Sequence, residues 1–344
     1  MTNLSSDFLK LSPDVQQEQL ERFKGVCALY GYEGFFRLQN SHVVVIGNGG
    51  VGSWIAESLT RTGVGSITLI DFDNIELSNS NRQLHTLSST IGQGKSETLG
   101  RRLTDINPYL KLKVMQVLIN RHNVGDVIAE AVKVAPEVLK NLPRPELRDL
   151  PDPHVLAANK YRQCTGAVDA ADAITPELPP NIFVAEAIDD LFAKASTVDY
   201  LHRARIPVVS SGGAGGRIDP SRVRIADITE ARGDQLIKRL RTELRRNYGY
   251  PKGLDENAQP RTPQKNRRMH KKADERFNIL CSFSDEKPMR AADRMNTDVS
   301  PEAWGIVNPP KLPGFGASNT VTATAGLLLA SVIIRWIVGT RISQ

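Results

Sequence analysis

Apolar residues fall in short runs along the chain, broken by polar and glycine-rich turns. Residues 41–46 read SHVVVI, too uniformly apolar for a strand with one wet face, and predict a buried parallel strand. Gly47-Asn48-Gly49-Gly50-Val51-Gly52 follows, then a helical stretch over 53–62 that Gly63 stops. A second apolar run, SITLI at 66–70, ends at Asp71. Strand, glycine turn, helix and strand thus fit into about 30 residues, the span of a nucleotide-binding βαβ unit. Further strands are expected over 111–117, 181–188, 206–210 and 222–228. Strands alternating with helical stretches predict an α/β fold with a doubly wound, mostly parallel sheet.

Two stretches interrupt this rhythm. Residues 134–180 are rich in proline and read as an insertion. Residues 247–276 are polar, carry Pro251, Pro260 and Pro263, and read as a second, basic and flexible insertion. Near the C-terminus, 321–334 is a run of 14 residues without charge, closed by Arg335. A spanning helix needs about 20 apolar residues, so a helix over 320–340 is expected to be a core helix, with membrane association left open. Residues 1–21 carry Asp7, Asp14, Glu18 and Glu21 against Lys10 alone, unlike a secretory or transit peptide.

Composition narrows the class. At 40% hydrophobic and 24% charged, the 344 residues describe a globular chain, not a disordered one. Three cysteines, at 27, 164 and 281, with no CxxC spacing, exclude a disulfide framework and a paired-cysteine zinc site, and suit a reducing compartment. The net charge of +6 conceals its distribution. Residues 232–272 hold 13 Lys/Arg and four acids, a local +9, so the remainder sums to −3. Such a tract reads either as a polyanion contact, where cations displace counterions from phosphates, or as a solvated helix followed by a basic loop.

The chemistry-bearing residues lie after the first two strands. Gly47, Gly49, Gly50 and Gly52 let a phosphate approach the backbone, and the helix behind them adds free N–H groups and partial positive charge. Asp71 lies 22 residues after Gly49, where an acid accepts hydrogen bonds from ribose hydroxyls. Asn79, Asn81, Arg82 and Gln83 form a polar cluster, and Lys95 follows. An arginine and a lysine beside a glycine turn suit neutralisation of a reacting phosphate chain. A nicotinamide-dependent oxidoreductase has no reacting phosphate and leaves them unexplained. Asp189, after the expected strand 181–188, is a candidate Mg²⁺ ligand.

The stretch IGNGGVGSWIAESLTRTGVGSITLIDFDNIELSNSNRQLH (46–85) resembles the adenylation domain of E1-like activating enzymes. With RFKGVCALYG (22–31), SSGGAGGRIDP (210–220) and GFGASNTVTATAG (314–326), it most resembles the tRNA threonylcarbamoyladenosine dehydratase family within the E1-like, ThiF-type superfamily. The resemblance implies a single Rossmann-like domain of the E1-like adenylating type over 1–344, with inserted loops. It implies an ATP-binding turn at Gly47, Gly49, Gly50 and Gly52, ribose contact at Asp71, and phosphate contacts at Asn79 and Arg82 with Gln83 nearby. Lys95 would stabilise departing pyrophosphate, and Asp189 would bind Mg²⁺. Arg22 matches an arginine that reaches the ATP site of a neighbouring subunit, which implies a homodimer. The implied substrate is the threonylcarbamoyl group beside the anticodon of tRNA, in the anticodon stem-loop, dehydrated through an acyl-adenylate. A monovalent cation and a sulfur-transfer partner are further candidates. The implied location is the cytoplasm or the cytosolic face of the mitochondrial outer membrane.

Two departures stand out. Where the family commonly has DCVFSTE, residues 280–286 read LCSFSDE, so Cys281 is either a site residue or a small buried hydrophobe. Where the family has an AIDS-like ending, this chain has Ala187-Ile188-Asp189-Asp190, and the second acid either assists the metal or is merely exposed. Two alternatives differ from this reading: adenylation of a ubiquitin-like or sulfur-carrier protein, and a tRNA-binding scaffold without catalysis. The first usually carries CxxC pairs or a thioester cysteine domain; the second has no need of Asp71, Arg82 and Lys95 together.

Deleting 251–272 is expected to weaken tRNA binding and flatten its salt dependence, measured as the slope of log affinity against log salt. An unchanged slope would mean that the basic tract serves something else.

Overall fold

The computed structural model describes residues 8, 11–132, 182–251, 276–290, 293, 305–309, 311–312 and 314–339. The expected insertion at 134–180 lies outside the described residues, as does 252–275 of the second. The elements begin with α1 (Pro13–Arg22), α2 (Lys24–Gln39), β1 (His42–Ile46), α3 (Gly52–Arg61), β2 (Ser66–Ile70), α4 (Lys95–Ile106), β3 (Lys111–Met115) and α5 (Val124–Val132). They continue with β4 (Ile182–Glu186), α6 (Leu191–Arg203), β5 (Val208–Ser211), β6 (Val223–Asp227), α7 (Gln235–Asn247), β7 (Leu280–Ser284) and α8 (Asn319–Val338).

The seven strands form one sheet in the order β3-β2-β1-β4-β5-β7-β6. All neighbours run parallel except β6 against β7. The order reverses between β1 and β4, which are paired from His42↔Ile182 to Ile46↔Glu186. Six strands coincide with stretches expected as strands from the sequence. β7 was not expected: its Ser282 and Ser284 are buried, and serines in a run of five disguise it as a turn.

Period-2 alternation divides the core. Val44 and Ile46 of β1 point to one face, where Val127 and Ile128 of α5, Val198 of α6 and Leu240 of α7 cover them. Val43 and Val45 point to the other, against Ile55 and Leu59 of α3, Leu99 of α4 and Leu329 and Ile333 of α8. The result is a three-layer α/β/α sandwich.

At the switch point the chain has almost no room. Gly47 has φ +82°, and a Cβ there would stand 2.7 Å from the carbonyl oxygen of Ala187. The Gly47 N–H bonds to Ile70 O at 2.8 Å and Ala187 N–H to Ile46 O at 2.7 Å. The loops after β1 and β4 therefore start in contact and part above the sheet, opening a crevice.

α8 has 20 residues and is long and apolar enough to cross a membrane, yet 67% of its most apolar stretch is buried. Val332 and Trp336 join the core with β1 and α3. Fully burying an aliphatic side chain of this size is worth about 1.5–3 kcal/mol, so the helix is a major source of stability here. Its crossing over α3 depends on Gly326, where a Cβ would lie 2.6 Å from Val51 O and 2.9 Å from Trp54 Cβ.

Gly326→Val is expected to destabilise the protein by about 1–3 kcal/mol, because the clash falls on backbone that cannot move aside. A denaturant melt measures it, and wild-type stability would contradict the α3–α8 crossing.

Candidate functional site

The crevice at the switch point is a cleft of about 580 Å³ above the carboxyl ends of β1, β2 and β4. Ligands of open α/β sheets bind in this position, and the volume suits a nucleotide-sized molecule. Gly47 and Gly49 form part of its floor, with Asp71, Asn79, Arg82 and Gln83 on one side and Lys95 beside them. Asp189 lines the β4 side. Gly50 faces the aliphatic stem of Arg82, which a Cβ there would meet at 3.1 Å, and Gly52 opens α3. The structure thus brings Gly47, Gly49, Asp71, Asn79, Arg82, Gln83, Lys95 and Asp189 around one space, while Gly50 and Gly52 lie outside its lining.

Hydrogen bonds lock the glycine turn to Asp71. Asp71 Oδ2 accepts the N–H of Asn48 at 2.6 Å, and Oδ1 accepts that of Asp73 at 2.9 Å. Asn48 Nδ2 donates to Ser96 Oγ at 2.8 Å, and Ser96 Oγ donates to Asp71 O at 3.3 Å. Burial pushes the Asp71 carboxyl above the ordinary aspartate value; the two N–H groups and the charge of Lys95 oppose that shift.

The two cleft cations are held differently. Lys95 is buried at the first position of α4 and pairs with Asp73 Oδ2 at 2.7 Å. Arg82 donates only to neutral oxygens, Ser78 O at 3.1 Å and Asn81 Oδ1 at 3.0 Å, and has no carboxylate partner among the described residues. Its charge is available to an anion in the cleft. Asn79 accepts the Glu76 N–H at 3.1 Å and closes the short 3₁₀ turn Leu77–Asn79 that presents Arg82.

Some polar atoms around the cleft are buried and can take a further hydrogen bond. Gln83 Oε1 and Asn48 Oδ1 are buried and unpartnered among the described residues. Leaving such an acceptor unmade costs about 1–3 kcal/mol, and Gln83 faces the cleft, so a donor on a bound molecule can satisfy it. His85 is 2% exposed, and neither ring nitrogen has a partner among the described residues. Burial and the positive charge of Lys95 push it down to about 4, so it is neutral at pH 7 and adds no repulsion to Lys95.

The turn that carries Asp189 is built on a buried ion pair that sequence reasoning missed. Glu186 and Lys194 are both 0% exposed and meet at 2.6 Å. Glu186 also accepts the Ile188 N–H and the Ser210 hydroxyl, each at 2.6 Å. Lys194 donates further to Ser211 O at 2.9 Å. Eight residues separate the two charges, one ending a strand and one on a helix, and no local pattern links them. Asp73 was missed as well; its place two residues beyond Asp71, at the same strand end, was the available signal.

Asp190 caps α6, accepting the N–H groups of Phe192 at 3.0 Å and Ala193 at 2.8 Å. That leaves Asp189, exposed at the rim, as the acid free to face a metal. Among the described residues no three metal-ligating side chains cluster. Mg²⁺ commonly takes one or two carboxylates and completes its shell with phosphate oxygens and water, a demand that the single Asp189 carboxylate at this rim fits.

Two sequence candidates are not brought to the cleft. Cys281 is fully buried in the core within β7, its thiol pushed well above the ordinary value by burial, and it is not among the residues that line the cleft. Arg22 donates to Ile106 O at 3.0 Å and to Glu18 at 2.9 Å. Ile106 ends the helix that Lys95 begins, about 16 Å away along its axis at 1.5 Å per residue, so Arg22 stands far from its own cleft.

Residues 24–137 match the ThiF family. The tRNA threonylcarbamoyladenosine dehydratase of Bacillus subtilis is 30% identical over 304 residues, covering 88% of this chain and 89% of that one. The protein of the same name from Escherichia coli is 28% identical over 312 residues, covering 90% and 91%. Crystal structures of the E. coli protein in complex with AMP and with ATP match with TM-scores of 0.65 and 0.64 at 27% identity, each covering 95% of this chain and 96% of the other.

Lys194→Met is expected to cost about 3–5 kcal/mol, because Glu186 is left buried and uncompensated. Adding Glu186→Gln to it is expected to recover much of that loss in a urea melt. Equal stability of Lys194→Met and wild type would remove the pair from the account.

Proposed function

We infer the activity from the family to which the chain belongs, that of the tRNA threonylcarbamoyladenosine dehydratases. The protein is an ATP-dependent enzyme that dehydrates, and so cyclises, N6-threonylcarbamoyladenosine next to the anticodon of tRNA. The observation that carries the site reading is the meeting of Arg82, lacking a carboxylate partner among the described residues, with Lys95 and Asp71 in one nucleotide-sized cleft.

The substrate carboxylate attacks the α-phosphate of ATP, forming an acyl-adenylate and releasing pyrophosphate. The carbamoyl side of the same group then attacks the acyl carbon, closes the ring and expels AMP. The oxygen lost as water from the nucleoside leaves on AMP. The first step brings two anions together, so cations fixed in advance are the main requirement. Arg82 meets the phosphate chain. Lys95 exchanges Asp73 for the departing pyrophosphate, and Asp71 holds the ribose against the Gly47–Gly52 turn. Asp189 would hold Mg²⁺, which when bound would supply further neutralisation of this charge. Ring closure is intramolecular, so positioning replaces a protein nucleophile; the burial of Cys281 agrees with that economy. The active unit is a homodimer in which Arg22 serves the other subunit's cleft, a reading supported by its distance from its own.

Incubation with ATP, Mg²⁺ and tRNA bearing threonylcarbamoyladenosine, followed by nucleoside mass spectrometry, is expected to show ATP-dependent loss of one water. Arg82→Ala and Lys95→Ala are each expected to lower turnover by at least about 10²–10³-fold without unfolding the protein. No water loss with wild type would overturn the activity; wild-type turnover by either variant would overturn that residue's role.

A further inference from the structure

α7 carries its positive charge in two separate ways. Ile237, Leu240 and Leu244 are fully buried and fix the helix against the sheet. Asp234 caps its start through the N–H groups of Leu236 and Ile237, accepts the Gly213 N–H at 3.0 Å, and pairs with buried Arg217 at 3.3 Å. Three cations in and beside it serve the fold. Arg232 donates to Thr229 O, and Arg241 to the carbonyls of Ile228, Thr229 and Ala231. Arg245 donates to Pro251 O and lies over the Phe277 ring at 5.7 Å.

Lys238, Arg239 and Arg246 do none of this. All three are exposed, and none has an acidic or carbonyl partner among the described residues. With Gln235 and Thr242 they share an arc of about 100° on the solvent side at 100° per residue. They extend over about 12 Å of the helix axis. The acid nearest this arc, Glu243, is engaged with Asn247 at 2.6 Å. Glu243 keeps its charge at the border of this arc, but the three cations outnumber it, so the face is fixed by its helix and net positive.

Its place in the fold matters. α6 and α7 both start at the carboxyl edge of the sheet and pack on the same face. The first turn of α6, at Ala193, lines the cleft. The α7 face thus lies one helix further out, with helix axes about 8–10 Å apart. A polyanion whose reacting end enters the cleft passes within reach of it.

We propose that the outer face of α7, through Lys238, Arg239 and Arg246, docks the phosphate backbone of the substrate tRNA while the modified nucleoside occupies the cleft. This rests on the dehydratase reading above and adds where the RNA lies. No base is read there: exposed ammonium and guanidinium groups on a convex helix meet phosphates and give affinity without sequence choice.

The test uses the full-length protein with Lys238→Glu, Arg239→Glu and Arg246→Glu combined, and a second variant with all three changed to Gln in case reversal harms folding. tRNA bearing threonylcarbamoyladenosine is titrated at several salt concentrations. The Kd is expected to rise on the order of tenfold, and the slope of log affinity against log salt to fall by about 2–3, as for three lost phosphate contacts. The KM for tRNA is expected to rise with it, while kcat at saturating tRNA and the affinity for ATP stay at wild-type values. Wild-type salt dependence in a folded variant would overturn the proposal and leave the dehydratase reading intact. Loss of binding to phosphatidylserine vesicles with tRNA affinity unchanged would likewise overturn it. Wild-type protein that neither binds nor dehydrates this tRNA would overturn both.

Discussion

The contact between Gly47 and Ala187 is the constraint on which the rest of the site depends. β1 and β4 are hydrogen-bonded neighbours to their last residues, and at Gly47 a single methyl group would strike a carbonyl oxygen. Because the two chains leave the sheet in contact and then diverge, the crevice opens at the reversal of strand order. The glycine turn hands its Asn48 N–H to Asp71, Asn48 reaches Ser96, and Ser96 sits next to Lys95 at the start of α4. One short chain of hydrogen bonds therefore ties the backbone that would face a phosphate to the acid and the cation of the site. A shift of a few tenths of an ångström at Gly47 would be felt at each of them.

Electrostatics then divides the work. Burial makes ionisation of Asp71 harder, and two backbone N–H groups with Lys95 restore much of it. Lys95 is compensated by Asp73, so the cleft does not carry a bare buried ammonium. Arg82, only partly buried, bears its charge with neutral acceptors alone and is the natural first contact for an incoming anion. Beneath the rim, Glu186 and Lys194 place a fully buried ion pair under the turn of Asp189. Such a pair contributes little net stability but strongly resists displacement of either partner, which suits a support for a residue whose position matters more than its energy.

Local patterns made much of this legible in the sequence. β1, the glycine turn, α3 and β2 follow without interruption, and their spacing places Asp71 at the end of β2, where it lines the cleft. Arg82 and Lys95 were legible because an arginine and a lysine beside such a turn need an anion to explain them. What stayed hidden is non-local. Glu186 and Lys194 look like surface charges until β5 brings Ser210 and Ser211 to them. The same holds for Arg217 and Asp234, which meet only when the loop after β5 folds against the start of α7. β7 escaped notice because its serines are buried, and Cys281 within it, singled out by the family-like stretch 280–286, has the surroundings of a core residue.

The covering of α3 by α8 also sets an order of events during synthesis. Ile55 and Leu59 emerge from the ribosome early, while the Leu329 and Ile333 that enclose them emerge only after both long intervening stretches and every strand of the sheet. The part of the sheet face that α3 and α4 leave uncovered, over β5, β6 and β7, must therefore wait for α8. Contacts so distant along the chain slow folding, and the open face is the surface on which the nascent protein aggregates or recruits a chaperone.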